Sequence, residues 1–282
     1  MFILQNLFLL EGVHFPVKER FPEPPMDIFI RNGYAGSIYT CVASCDLVYF
    51  YKYAENFIKE FKNACPGVNI FLLAVNPNKN MINRTKAFDG VTLGATGYKG
   101  KWTAEFAASA RFMLADKILT ETGGPTIFMD IDSRFPDGTS DILSLLSREN
   151  LAVCDTGSLF PFNIISAALL CARPCEESFN FFGAVKECIL SDFAREGPLW
   201  GLDQTALYRA VCIGKEKGWN ISETNGLLNG RAKLPDFFVM NEDETVPLER
   251  RTGKRTNNFY RLTGFSDEGR TIYDLNRSQI YL

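Results

Sequence analysis

Phe128-Met129-Asp130-Ile131-Asp132 brings two carboxylates, two residues apart, to the end of an apolar run. In extended backbone, residues i and i+2 share one side of the chain, so this spacing predicts two acidic groups held together. Like charges that close repel each other unless a cation or a shared proton offsets them. A divalent ion such as Mg²⁺ or Mn²⁺ prefers oxygen donors of this kind and can also bridge to phosphates. The plain alternative is a solvated turn completed by Pro136-Asp137-Gly138. The position of the pair at a strand end favours the metal, because ligands of open α/β sheets bind beyond the carboxyl ends of the strands.

The surrounding pattern predicts such a sheet. Ser37–Ala43 is a β-rich apolar run, and Tyr51–Ala64 carries Ala54, Phe57, Ile58 and Phe61 at helical spacing. Pro66-Gly67 closes that helix before the apolar strand Asn69–Val75, which makes a βαβ unit with parallel strands. Thr103 is read as the N-cap of a helix through Leu119, with Phe106, Ala110, Met113, Leu114 and Ile118 along one stripe. Gly123-Gly124-Pro125 breaks it, and Thr126–Ile131 is the strand that delivers the acidic pair. A short helix over Asp141–Arg148 and strands at Leu151–Cys154 and Ile164–Ala172 follow, the last an unbroken apolar run suited to burial on both faces. Helices are expected near Glu176–Phe193 and Gln204–Lys217. The fold class read from this alternation is α/β, an open, mostly parallel central sheet flanked by helices.

Composition narrows the functional classes. The chain has 282 residues, of which 46% are hydrophobic and 22% charged, as in a globular protein. A formal net charge of −3 provides no global field for nucleic acid or an anionic membrane. No apolar run reaches the length of a membrane span, and Met1–Leu10 reads as a buried strand rather than a signal peptide. The eight cysteines stand largely in apolar contexts, and His14 is the one histidine, so reduced thiols and a cytoplasmic location are expected. The chain divides into a proline-containing arm or added strand over 1–36, a main domain over 37–234 and a polar extension over 235–282 packed on the same domain.

Three segments in order resemble glycosyltransferases of the GT-A fold, especially the glycogenin-like and lipopolysaccharide galactosyltransferase-like branch. They are Tyr98 through the D-x-D at Asp132, Phe162-Asn163 with the apolar run Ile164–Cys171, and Trp200-Gly201-Leu202-Asp203-Gln204-Thr205-Ala206-Leu207. The resemblance covers about residues 37–212. It implies a GT-A, Rossmann-like sheet, with a nucleotide-binding half to about residue 132 and an acceptor half after it. Carried over by position, Asp130 and Asp132, with Ile131 between them, would hold Mn²⁺ or Mg²⁺, Asp132 more directly. Ala43, Ser44 and Cys45 would lie against the nucleotide, and Arg111 would approach the diphosphate or the donor sugar, unless it is a surface helix arginine. Asn163 and Gln204 would meet sugar hydroxyls, and Trp200 would wall the acceptor. Asp203 is also read as a helix N-cap.

The implied activity is transfer of a hexose or pentose from a UDP- or GDP-sugar to a glycan or other acceptor. An inverting enzyme would need a carboxylate base, for which Asp203 and Asp155 are the candidates. The chain departs from the branch in lacking a histidine downstream of Asp203, where Asn225, Asp236 or a water would have to complete a metal site. Phe162-Asn163-Ile164-Ile165-Ser166 also replaces the small residues of the F-N-A-G-V strand. The alternative is therefore a catalytically degenerate carbohydrate-binding or scaffold protein of the same fold. Two other chemistries fit less well. A haloacid-dehalogenase-like phosphatase would place Thr or Val where Arg134 stands, and a sugar nucleotidyltransferase would need a glycine loop after the first strand.

Overall fold

The computed structural model describes residues 29–31, 39–100, 103–135, 137–156, 164–198 and 201–224. The expectations for Met1–Leu10, Asn163, Trp200, Asn225, Asp236 and 235–282 lie outside these residues. The strands are β1 Phe29–Arg31, β2 Thr40–Cys45, β3 Asn69–Val75, β4 Val91–Thr96, β5 Thr126–Asp130, β6 Leu151–Asp155, β7 Ile165–Ala172 and β8 Ser222–Glu223. They form one sheet in the order β1-β4-β3-β2-β5-β7-β6-β8. Strands β4, β3, β2 and β5 run parallel, β1 is antiparallel at the edge beside β4, and β7 is antiparallel between β5 and β6. The chain is thus an α/β protein built on an open, mostly parallel sheet.

Helices cover both faces. They are α1 Leu47–Tyr49, continued by a π-helical turn at Phe50–Ala54 into α2 Glu55–Ala64, then α3 Lys79–Lys86, α4 Thr103–Met113, α5 Ala115–Thr122, α6 Thr139–Leu146, α7 Glu176–Glu196 and α8 Leu202–Lys217. Alternate strand residues feed two cores. Val42, Phe71, Leu73 and Phe128 pack under α4, α7 and α8, while Cys41, Ile70, Leu72 and Met129 pack under α2 and α6. A strand sandwiched this way has no polar face to show, which is why β3 reads as an unbroken apolar run.

The helix expected over Thr103–Leu119 is in fact two. Leu114 departs from helical geometry (φ −106°, ψ 10°), separating α4 from α5, and Gly123 closes α5 with φ +62°. Thr103 does not act as a side-chain cap in the expected way: its hydroxyl donates to Asp46 Oδ2 at 2.9 Å. Asp203 is not the N-cap of α8 either, because that position belongs to Gly201 (φ +87°), which takes the left-handed conformation that glycine tolerates best.

All eight cysteines are free thiols, five of them buried. Burial pushes the Cys154 thiol up to about 12, and Cys41, Cys45 and Cys171 are raised for the same reason. A buried thiol held protonated is a poor nucleophile. Iodoacetamide at about pH 8, below the reference thiol range, should therefore modify no more than Cys175, Cys188 and Cys212 in the native protein. Mass spectrometry counts the adducts, and labelling of the five buried thiols without denaturant would contradict this packing. No helix among the described residues is long and apolar enough to cross a membrane.

Candidate functional site

The order of the parallel strands reverses at β2, with β3 and β4 on one side and β5 on the other. Ligands of open sheets bind near such a reversal, beyond the carboxyl ends of the strands. A cleft of about 180 Å³ lies there. Its lining comes from Ser44 and Cys45 at the end of β2, from Asp130 at the end of β5 with Ile131 and Asp132 beyond it, and from Ser166 to Ala168 of β7. The reversed direction of β7 is what brings the start of that strand to this end, with Met129 facing Leu169 across the ladder. Helix α4 supplies Ala104, Glu105 and Arg111, and the first turn of α8 supplies Asp203 and Gln204.

Among the expected site residues, Ser44, Cys45, Arg111, Asp130, Ile131, Asp132, Asp203 and Gln204 all line this cleft. Ala43 does not: alternation along β2 turns it into the core beneath α2. Asp155 is not among the lining residues either, since it closes β6, which the intervening β7 separates from β5.

The acidic pair is built differently from the extended arrangement expected. Strand β5 ends at Asp130, and Ile131-Asp132 belongs to a turn in which the Ser133 N–H donates to the Asp130 carbonyl at 3.1 Å. Asp132 therefore owes its position to a turn rather than to strand pleat. Ile131, 3% exposed, points into the core and anchors the turn from below.

Arg111 is not a surface arginine. It is 1% exposed, among the largest fully buried side chains described. Its Nη2 donates to Asp130 Oδ1 at 2.5 Å and to the Ala167 carbonyl at 2.9 Å, with Asp203 Oδ2 at 3.7 Å. Nη1 reaches Ser44 Oγ at 3.4 Å, and that hydroxyl donates in turn to the Ala107 carbonyl at 2.7 Å. One guanidinium thus ties β2, β5, β7 and α8 together beneath the cleft. Its commitments are to protein carboxylates, so its main role is to fix Asp130 and Asp203 rather than to offer a free fork to a diphosphate.

Two residues of the site carried no chemical signal in the sequence reading. Asp46, just past β2, is 5% exposed; its Oδ1 accepts the Tyr49 N–H at 2.9 Å while its Oδ2 accepts the Thr103 hydroxyl. Tyr49 lines the cleft, and its phenol is pushed well above its ordinary range by burial first and then by the negative field of Asp132. It stays protonated at neutral pH and offers a ring face and a hydroxyl donor. The π turn that follows at Phe50–Ala54 is a geometry found often at functional sites.

The cleft is rich in carboxylates. Asp46, Glu105, Asp130, Asp132 and Asp203 line the cleft, and Arg111 is the single cationic side chain among its described lining residues. Every carboxylate is an oxygen donor, as Mg²⁺ and Mn²⁺ prefer, and the excess of negative charge would repel an anionic ligand arriving without a counter-ion. No group of three or more His, Cys, Asp or Glu able to hold an ion occurs among the described residues. The protein side of such a site would be Asp132 with Asp130, the rest coming from ligand phosphates and water, a division common for Mg²⁺. No family model matches the chain, and no curated protein shows a significant sequence match.

Proposed function

We propose that this protein is a metal-dependent glycosyltransferase that takes a sugar from a UDP- or GDP-sugar and passes it to a hydroxyl-bearing acceptor. The observation that carries the reading is the acidic turn at Asp130–Asp132, set at the switch point of the sheet beside Asp203 and Gln204. A divalent cation held there supplies neutralisation of the departing diphosphate, where charge grows toward the transition state.

The chain's own residues would do the rest. Arg111 holds Asp130 and Asp203 in place, so neither carboxylate reorganises when the donor binds. Asp203 and Gln204, which line the cleft from the first turn of α8, would exchange hydrogen bonds with sugar hydroxyls. Tyr49 offers its ring to the nucleobase and its hydroxyl to the phosphates. If the reaction inverts, Asp203 is the candidate base that lines the cleft.

One feature favours a second reading, a binding protein of the same fold without turnover. Asp130 already has a cation in contact, because Arg111 engages its Oδ1. A site half neutralised from within needs an added metal less. Release of UDP or GDP from a panel of nucleotide sugars, with Mn²⁺ and simple sugar acceptors, separates the two. Steady release that stops with EDTA supports the enzyme. Binding of nucleotide sugars with no release, even by slow hydrolysis, favours the binding protein.

A further inference from the structure

Asp132 stands outside β5, so strand pairing cannot hold it, and something else must. The turn is pinned at Asp130 by the ladder and Arg111, at Ile131 by the core, and at Ser133 by its bond to the Asp130 carbonyl. The chain is caught once more at Phe135. That ring meets Phe57 and Phe61 of α2 at 5.2 Å each, with interplanar angles of 68° and 76°. Phe57 and Phe61 are themselves 2% and 0% exposed, and they stack on one another at 6.1 Å. Edge-on packing of this type is favourable and directional, so it fixes orientation as well as contact.

The partner surface matters because of what else it carries. Residues 47–64 form one continuous helical stretch, α1, the π turn and α2, with Tyr49 at the cleft end and Phe57 and Phe61 further along. Phe135 therefore joins the acidic turn to the same rod that presents Tyr49. We propose that Phe135 is a positioning residue, holding Asp132 at its working distance from Tyr49, and that metal-dependent nucleotide binding depends on this ring. The inference rests on the glycosyltransferase reading. It concerns a side chain that does not line the cleft.

The test is calorimetric binding of UDP, and then of GDP, with and without Mn²⁺. The quantity read is the ratio of the two affinities, the coupling between metal and nucleotide. Residues that orient a metal ligand from behind commonly change metal affinity by about 10- to 100-fold. Phe135→Ala is therefore expected to reduce the Mn²⁺ enhancement by about tenfold while the metal-free affinity stays at the wild-type value. Phe135→Leu, which keeps bulk but loses the ring edge, should fall between, and it carries the test if Phe135→Ala does not fold. Phe181→Leu, a fully buried ring in the core on the opposite face, serves as the control. It should lower the Tm and leave the ratio intact. A wild-type ratio in both Phe135 variants, or an equal loss in Phe181→Leu, would overturn the inference alone. Wild-type protein that binds neither nucleotide with or without Mn²⁺ would overturn the underlying reading, and this inference with it.

Discussion

Asp132→Asn is expected to remove most of the Mn²⁺ enhancement of nucleotide affinity, a loss of about 10- to 100-fold, while changing the stability of the fold little. Asparagine keeps the size and one oxygen but not the charge that attracts a divalent ion. Asp132 is only partly buried and lies on a turn beside a second carboxylate. Removing one of two neighbouring negative charges relieves only the repulsion that Arg111 does not already offset at Asp130. The stability change should be small, within about 0.5 kcal/mol of zero, as is usual for a partly exposed position. Urea unfolding and calorimetry on the same preparations check the two halves. A residue with a merely structural role would show the opposite pairing, with stability lost and binding kept.

Arg111→Met is expected to cost stability outright. Methionine fills much of the same volume without the charge, and it takes a cationic partner from Asp130 and Asp203 and a donor from the Ala167 carbonyl. Removing one member of a buried ion pair typically costs 3–5 kcal/mol, because the other is left uncompensated. Asp130 keeps 26% of its side chain in contact with solvent, so the loss should sit near the lower end, about 3 kcal/mol. The denaturant midpoint reads it directly. The double variant Arg111→Met with Asp203→Asn should recover part of the loss, a coupling of about 0.5–3 kcal/mol for groups in one network. Strict additivity of the two changes would mean that the 3.7 Å approach of Arg111 to Asp203 carries no energy.

The fate of these residues also measures how far the sequence alone could be read. Strand β3 was expected over Asn69–Val75 and occupies those residues, because a doubly buried strand writes its whole length in apolar side chains. β4 was missed: Val91–Thr96 is short and carries Thr92, Gly94 and Thr96, and its burial comes from neighbours rather than from its own composition. α3 was missed for a related reason. Of its residues only Met81 and Thr85 are buried, so no apolar stripe marks it, and Asn78 capping the Met81 N–H is its main local signal. The direction of β7 was equally invisible, since an apolar run is the same in either orientation.

For the site, residue types were legible and geometry was not. The D-x-D spacing drew attention to Asp130 and Asp132, yet the turn that separates them from ideal pleat depends on Ile131 and Phe135 finding the core under α2. Arg111 was expected either at the surface or against a ligand, whereas its burial follows from the meeting of α4, β5, β7 and α8, none adjacent in sequence. Asp46 and Tyr49 became site residues only once the chain leaving β2 was seen beside the cleft. Local pattern encodes elements well; the partners of a buried charge are set by topology.

The central claim is that the cleft at the β2–β5 switch point binds a nucleoside diphosphate through a divalent ion. Isothermal calorimetry of the wild-type protein with UDP and GDP, in EDTA and then in Mn²⁺, tests it most directly. The account predicts binding of one of the two nucleotides that strengthens by at least about tenfold with Mn²⁺, within the usual range of coupling between two ligands. Folded protein that binds neither nucleotide, or binds one equally well in EDTA and in Mn²⁺, would contradict it.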